Sequence, residues 1–240
     1  MASESIRKLD NPIDVMPLIH KAFRAVSERI EFLAADTSTG GGITELAKVF
    51  RFWAKQILFH ATIEDEVITN ALNKGGLVRQ PITDNETEHA ILMGKAGELI
   101  GFFGRPSWYA AKDILRETAF TIEDDQHREL EKHVHEVETL INTALGEEKV
   151  TARTIRHAHS QLVTLRVLEL DHFENEEAFV CSLVRDEVSE VDQLYMVRRL
   201  LIDDTADEPR WVIDWVYSEL CPEDQNSLKD LEARIQEVYT

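Results

Sequence analysis

Apolar residues recur at intervals of three and four almost from one end of this chain to the other. That is the helical period, and no stretch shows the two-residue alternation of a half-buried strand. A first helix is predicted from about Asp14 to about Ala35, with Pro17 tolerated in its opening turn, stopping at the loop DTSTGGG. A second runs from about Thr44 to Leu72 and stops at NKGG. Thr83 or Asp84 caps a third segment, ETEHAILMGKAGELIGFF, which ends at Gly104-Arg105-Pro106. A helix from Ser107 to about Ile122 follows. Asp124 and Asp125 either restart it or continue it into QHRELEKHVHEVETLINTAL, which Gly146 ends. Thr151 caps a long helix through TIRHAHSQLVTLRVLELDHFENEEAFVCSLV, and shorter helical stretches lie beyond Arg185. Short loops between long helices predict an all-α fold: an antiparallel bundle with a C-terminal helical extension. The expected division is a bundle over residues 12–185 and an extension over 186–240 that packs on it.

The apolar stripes of three helices are interrupted by the same residue types. Helix one reads Met16, His20, Phe23, Ile30, Leu33, and helix two reads Trp53, Ile57, His60, Glu64, Val67, Ala71. The long late helix reads Leu162, Leu165, Glu169, His172, Glu176, Phe179, Leu183. The segments HATIED (60–65) and HFENEE (172–177) each place a His and a Glu at i and i+4, one turn apart on one face. Taken singly, such a pair is most simply a core histidine with a hydrogen-bonded neighbour, or an ion pair worth a few tenths of a kcal/mol. Two pairs and a third histidine on inward stripes are harder to satisfy among themselves, because an unpaired buried carboxylate costs several kcal/mol. Imidazole and carboxylate are also ligands that suit iron and manganese, and bundle cores house such sites.

Position along the helices agrees with this. His20 lies 19 residues before the middle of the first loop, near residue 39, and His60 lies 21 after it. His127 lies 21 residues before the last loop, centred near residue 148, and His172 lies 24 after it. Antiparallel neighbours of equal rise bring each pair to about one level, within roughly a helical turn.

Charge narrows the partners. With 45 acidic and 26 basic residues the net charge is −19, which disfavours nucleic acid and anionic membrane surfaces. There is no apolar run of membrane-spanning length, and MASESIRKLDNPID has no secretory h-region. Cys181 and Cys221 form no metal or redox spacing. The expectation is a cytoplasmic protein.

His20, His60 with Glu64, a further histidine on the middle helix, and His172 with Glu176 together resemble the hemerythrin-like, or HHE cation-binding, domain, over about residues 12–185. The resemblance implies an antiparallel up-down four-helix bundle, here longer than the family minimum by an extra helical hairpin in 83–122 or 105–146, holding two non-haem iron ions, with Glu64 and Glu176 bridging them; manganese or zinc accept similar ligands. It also implies reversible binding of O2, or another small diatomic or peroxide ligand, for carriage, storage or sensing, more than an enzyme's activity. The family's third helix carries a histidine soon after the second, and classical members carry two at i and i+4. Here His89, in EHAIL, follows Glu64 by 25 residues, and Met93 stands where a second histidine would be. His127, in QHREL, competes for the place from an apolar stripe with Leu130, Val134, Val137 and Ile141. If both bind, the inventory is five histidines and two carboxylates.

The remaining residues have plainer expectations. His133, His135, His157 and His159 fall off the stripes and are read as solvated. Glu169 is read as a partner that fixes an imidazole, Glu66 and Glu177 as outward, and Trp53 and Phe179 as core. RWVIDWVYSEL reads as a helix packing back on the bundle, with a homodimer contact as the alternative. The competing functions are a peroxide- or NO-handling di-iron enzyme, an iron or redox sensor whose C-terminal helices couple to a partner, and a bundle with fortuitous histidines.

Overall fold

Asn11 opens the fold by donating its backbone N–H to the Asp14 carboxylate, 2.9 Å away, which starts a 3-10 turn at Pro12–Val15 that runs directly into the first helix. The computed structural model describes residues 9–35, 41–69, 72, 108–146 and 151–239, of which 41 and 108–117 are described as backbone only. Every regular element among the described residues is helical, as the apolar period requires. Helices α1 (Met16–Ala35), α2 (Gly41–Glu64), α3 (Trp108–Gly146) and α4 (Ala152–Asn175) are followed by α5 (Cys181–Glu187), α6 (Glu190–Leu201), α7 (Trp211–Glu219) and α8 (Pro222–Tyr239). Thr151 caps α4 as expected, its side chain accepting from the Thr154 N–H. Residues 108–146 form one unbroken helix, so a hairpin within that span does not occur. The segment with His89 and Met93 lies outside the described residues.

Contacts among the four long helices close a ring: α1 packs on α2 and α4, and α3 packs on the other sides of α2 and α4. Phe23, Phe50, Trp53, Phe120 and Phe173 are fully buried inside it. Burying one such side chain is worth roughly 1.5–3 kcal/mol. The helices beyond residue 186 share this core. Trp215 of α7 is buried against Phe23, with ring centroids 4.8 Å apart, and α6 packs on α2 and on the first 3-10 turn.

Two helices are not α-helical throughout. Asp65–Thr69, after α2, and Glu176–Val180, after α4, are π-helical turns. A π turn inserts one extra residue and rotates everything after it around the axis. That rotation corrects one expectation. Phe179 is not core but half-exposed, and Val180 and Val184 are buried in its stead.

Candidate metal centre

The two motifs end where the π turns begin, so Glu64 is the last residue of α2 and Glu176 the first of the turn after α4. Each presents its carboxylate to the ring's interior. His20, His60, Glu64 and Glu176 form one group and Glu64, Glu123, His127 and His172 a second; within each, one ligand atom per residue lies within 4.8 Å of all the others. Glu64 belongs to both. Its Oε1 is 2.9 Å from His60 Nε2, while its Oε2 is 3.3 Å from His127 Nε2 and 4.0 Å from His172 Nε2. Glu176 Oε2 likewise stands 3.1 Å from His20 Nε2 and 4.0 Å from His172 Nε2. The structure thus brings together six of the seven residues singled out in the sequence; the seventh, His89, is outside the described residues.

Glu123 is the member that the sequence reading missed. Its Oε1 is 3.1 Å from His127 Nε2 and 3.4 Å from His172 Nδ1. The signal was present as a reversed pair, Glu-x-x-x-His at 123 and 127, across a point where the two aspartates suggested a break. Because α3 is continuous, both residues share one face.

All seven residues of the two groups are buried. Their facing atoms are close but poorly satisfied: His20 Nε2, His60 Nε2, His127 Nε2, both His172 nitrogens, both Glu64 oxygens, Glu123 Oε1 and Glu176 Oε2 lack an aligned hydrogen bond. Native interiors rarely leave so many polar atoms unpaired in one place. The electrostatics show the same conflict. Burial pushes the Glu176 carboxyl well above its usual range, with the charges of Glu64 and Glu123 adding to the effect. Burial also raises Glu123 and lowers His20, to about 4, and His172 well below the ordinary imidazole value. Glu64 resists burial and is held well below the carboxylate range by His60 and His127. His127 likewise overcomes burial and is raised by Asp65, Glu123 and Glu64. Three carboxylates and four imidazoles facing one another are a donor set that buried cations would satisfy, and these His/Glu groups could hold a metal ion.

The surroundings of the two groups differ. His20 is stacked on Phe173, with centroids 4.0 Å apart, and Phe23 lies against His60 at 5.2 Å. His127 instead borders a cleft of about 320 Å³ between α2 and α3, lined also by Ile57, Ala61, Thr62 and Leu130.

Two outer residues depart from expectation. Glu169 fixes no imidazole; its Oε1 accepts from Trp53 Nε1 at 3.1 Å. Burial raises its carboxyl to about 7, with Ser27 and Trp53 pulling the other way. Glu177 does not point outward: its Oε1 is 2.8 Å from His20 Nδ1 and accepts from Arg24 at 3.0 Å. Glu66 is outward, paired with Arg199. His133 and His135 face their own helix carbonyls at the surface, and His157 and His159 also stay outside the two groups.

No family model matches the chain, and no solved structure matches it. A stretch of 74 residues, 30% of this chain, is 39% identical to a zinc finger protein BRUTUS-like of Arabidopsis thaliana. The match spans 6% of that protein's length. No helix among the described residues is long and apolar enough to cross a membrane.

Proposed function

We propose that the ring of α1–α4 is an antiparallel, hemerythrin-like bundle whose seven inward His and Glu side chains hold two iron ions, and that the centre takes O2 or another small diatomic or peroxide ligand. The observation that carries this reading is the sharing of Glu64: two four-residue groups meet at one carboxylate whose two oxygens face different histidines. In a dinuclear site that is the place of a bridge. Three carboxylates also nearly balance the charge of two divalent ions, which relieves the cost of burying them. On this reading residues 12–185 are the metal-binding bundle and 186–240 an extension that covers it. The cleft beside His127 is the approach for a small ligand, since aromatic rings cover the His20 side.

Binding and release of O2 is the first reading. Glu123 favours a second. It brings the inward set to four imidazoles and three carboxylates, and hard oxygen donors stabilise ferric over ferrous iron. A centre so biased consumes O2 or peroxide, as an enzyme or a redox sensor does, rather than returning it.

Iron content and the visible spectrum of the reduced protein, before and after O2, test both. About two irons per chain and a charge-transfer band that fades when O2 is removed is the expected result for reversible binding. Iron that oxidises with no persistent band supports the second reading. Failure to take up any metal, even on reconstitution, would sink both. Glu123→Gln is expected to lower iron from about two to about one per chain, checked by metal analysis.

A further inference from the structure

We infer that Asp65 and Glu177 are positioning residues that lock His127 and His20, respectively, with Nε2 turned to the metal, each motif thereby clamping a histidine on a neighbouring helix. This rests on the metal-centre reading above.

HATIED and HFENEE share more than His-x-x-x-Glu, for in both a second carboxylate follows the motif's Glu directly. In both it falls within the π turn. Asp65 Oδ1 lies 3.1 Å from His127 Nδ1, across the gap from α2 to α3. Glu177 Oε1 lies 2.8 Å from His20 Nδ1, across the gap from α4 to α1. The opposite ring nitrogens face the motif glutamates: His127 Nε2 is 3.3 Å from Glu64 Oε2, and His20 Nε2 is 3.1 Å from Glu176 Oε2. The two halves of the site therefore repeat one design. Each motif supplies an inward histidine, an inward glutamate, and a third side chain that holds a histidine drawn from another helix.

The chemistry separates this from ordinary packing. A neutral imidazole has one N–H and one lone pair. Both rings have a carboxylate on either side, and a ring whose Nε2 is taken by a metal is neutral and has only the Nδ1 N–H to donate, to the outer carboxylate. Donation from Nδ1 to Asp65 or Glu177 fixes the tautomer and leaves the Nε2 lone pair aimed into the cluster, where a cation completes the arrangement. The outer carboxylates sit at the solvent edge, with Glu177 28% and Asp65 49% exposed, while Glu176 and Glu64 are buried, so the outer pair is placed to orient and the inner pair to bind. Arg24, 3.0 Å from Glu177, holds that clamp in turn.

The test uses Co(II) as a spectroscopic probe on the full chain stripped of metal. Wild type is expected to bind two ions, each followed by its visible bands and by competition with a chelator. Glu177→Ala should weaken one site about 10- to 100-fold and alter the bands of that site alone, and Asp65→Ala should do so at the other. Glu177→Gln and Asp65→Asn keep an oxygen that accepts from Nδ1. They should recover most of the affinity, and they stand in should an alanine variant not fold, with a few-fold weakening and a band shift at the same single site. Unchanged affinity and bands in the amide and alanine variants, or equal loss at both sites from either substitution, would overturn the clamp while leaving the metal centre standing. Wild type that binds no Co(II) or iron would remove the metal centre and the clamp together.

Discussion

At the scale of single residues, the interior of this protein is defined by polar side chains where apolar ones would be cheaper. Glu169 is the simplest to test, because it lies outside the two His/Glu groups yet is fully buried beneath Trp53. Its carboxyl titrates near 7 in the folded protein, raised from the model-peptide value of 4.5 by burial. Between those two values the unfolded chain has lost a proton that the native state keeps. Stability therefore falls as pH rises through this window and levels off above it. Glu169→Gln removes the group, and its stability relative to wild type should rise by about 3 kcal/mol from pH 4.5 to 7, measured by urea unfolding at a series of pH values. A constant difference would mean that Glu169 ionises normally in the fold.

At the scale of elements, the π turns and the joints between helices decide which side chains meet. The turn after α4 puts Phe179 outside, where the three-and-four count from Glu176 would bury it, and carries Glu177, which lies against His20. A strict three-and-four count could not foresee it, because the inserted residue leaves no mark in the apolar pattern. The continuous α3 had the same effect on Glu123. The joint between α5 and α6 rests on Gln193, which is buried. Its Nε2 donates to the carbonyls of Val188 at 2.9 Å and Val184 at 3.3 Å, and its Oε1 accepts from the Ile13 N–H at 3.4 Å. Gln193→Leu keeps the bulk but removes the partner of the Ile13 N–H and of the Val188 carbonyl, while the Val184 carbonyl keeps its bond from the Val188 N–H, and should cost about 2 kcal/mol in denaturant unfolding. A neutral outcome would show that the backbone groups find other partners.

At the scale of the whole molecule, one apolar core runs from Leu9 to Ile235 and takes in both the ring of long helices and the helices after residue 186. Trp215 is the link: it rests on Phe23, whose ring also contacts His60 and Phe173. The C-terminal helices therefore buttress the wall behind the candidate centre, and should unfold with it. Wild type is expected to show one transition by both tryptophan fluorescence and circular dichroism. Trp215→Ala should lower stability by about 3–5 kcal/mol. Separate transitions, with residues 186–240 released first by protease, would mean that the extension is independent.

The sequence by itself determined the helical class, the end of the first helix at Ala35, the Thr151 cap and the inward stripes that carry His20, His60, Glu64, His127, His172 and Glu176. These are local matters of period and capping, and local rules hold wherever a helix buries one face. Tertiary structure alone decided that Glu64 stands between two groups, that Glu123 joins them, and that Asp65 and Glu177 reach across to histidines 62 and 157 residues away in the chain. Those relations depend on how four helices are rotated against one another, and a single extra residue in a π turn changes that rotation while leaving the pattern before it intact.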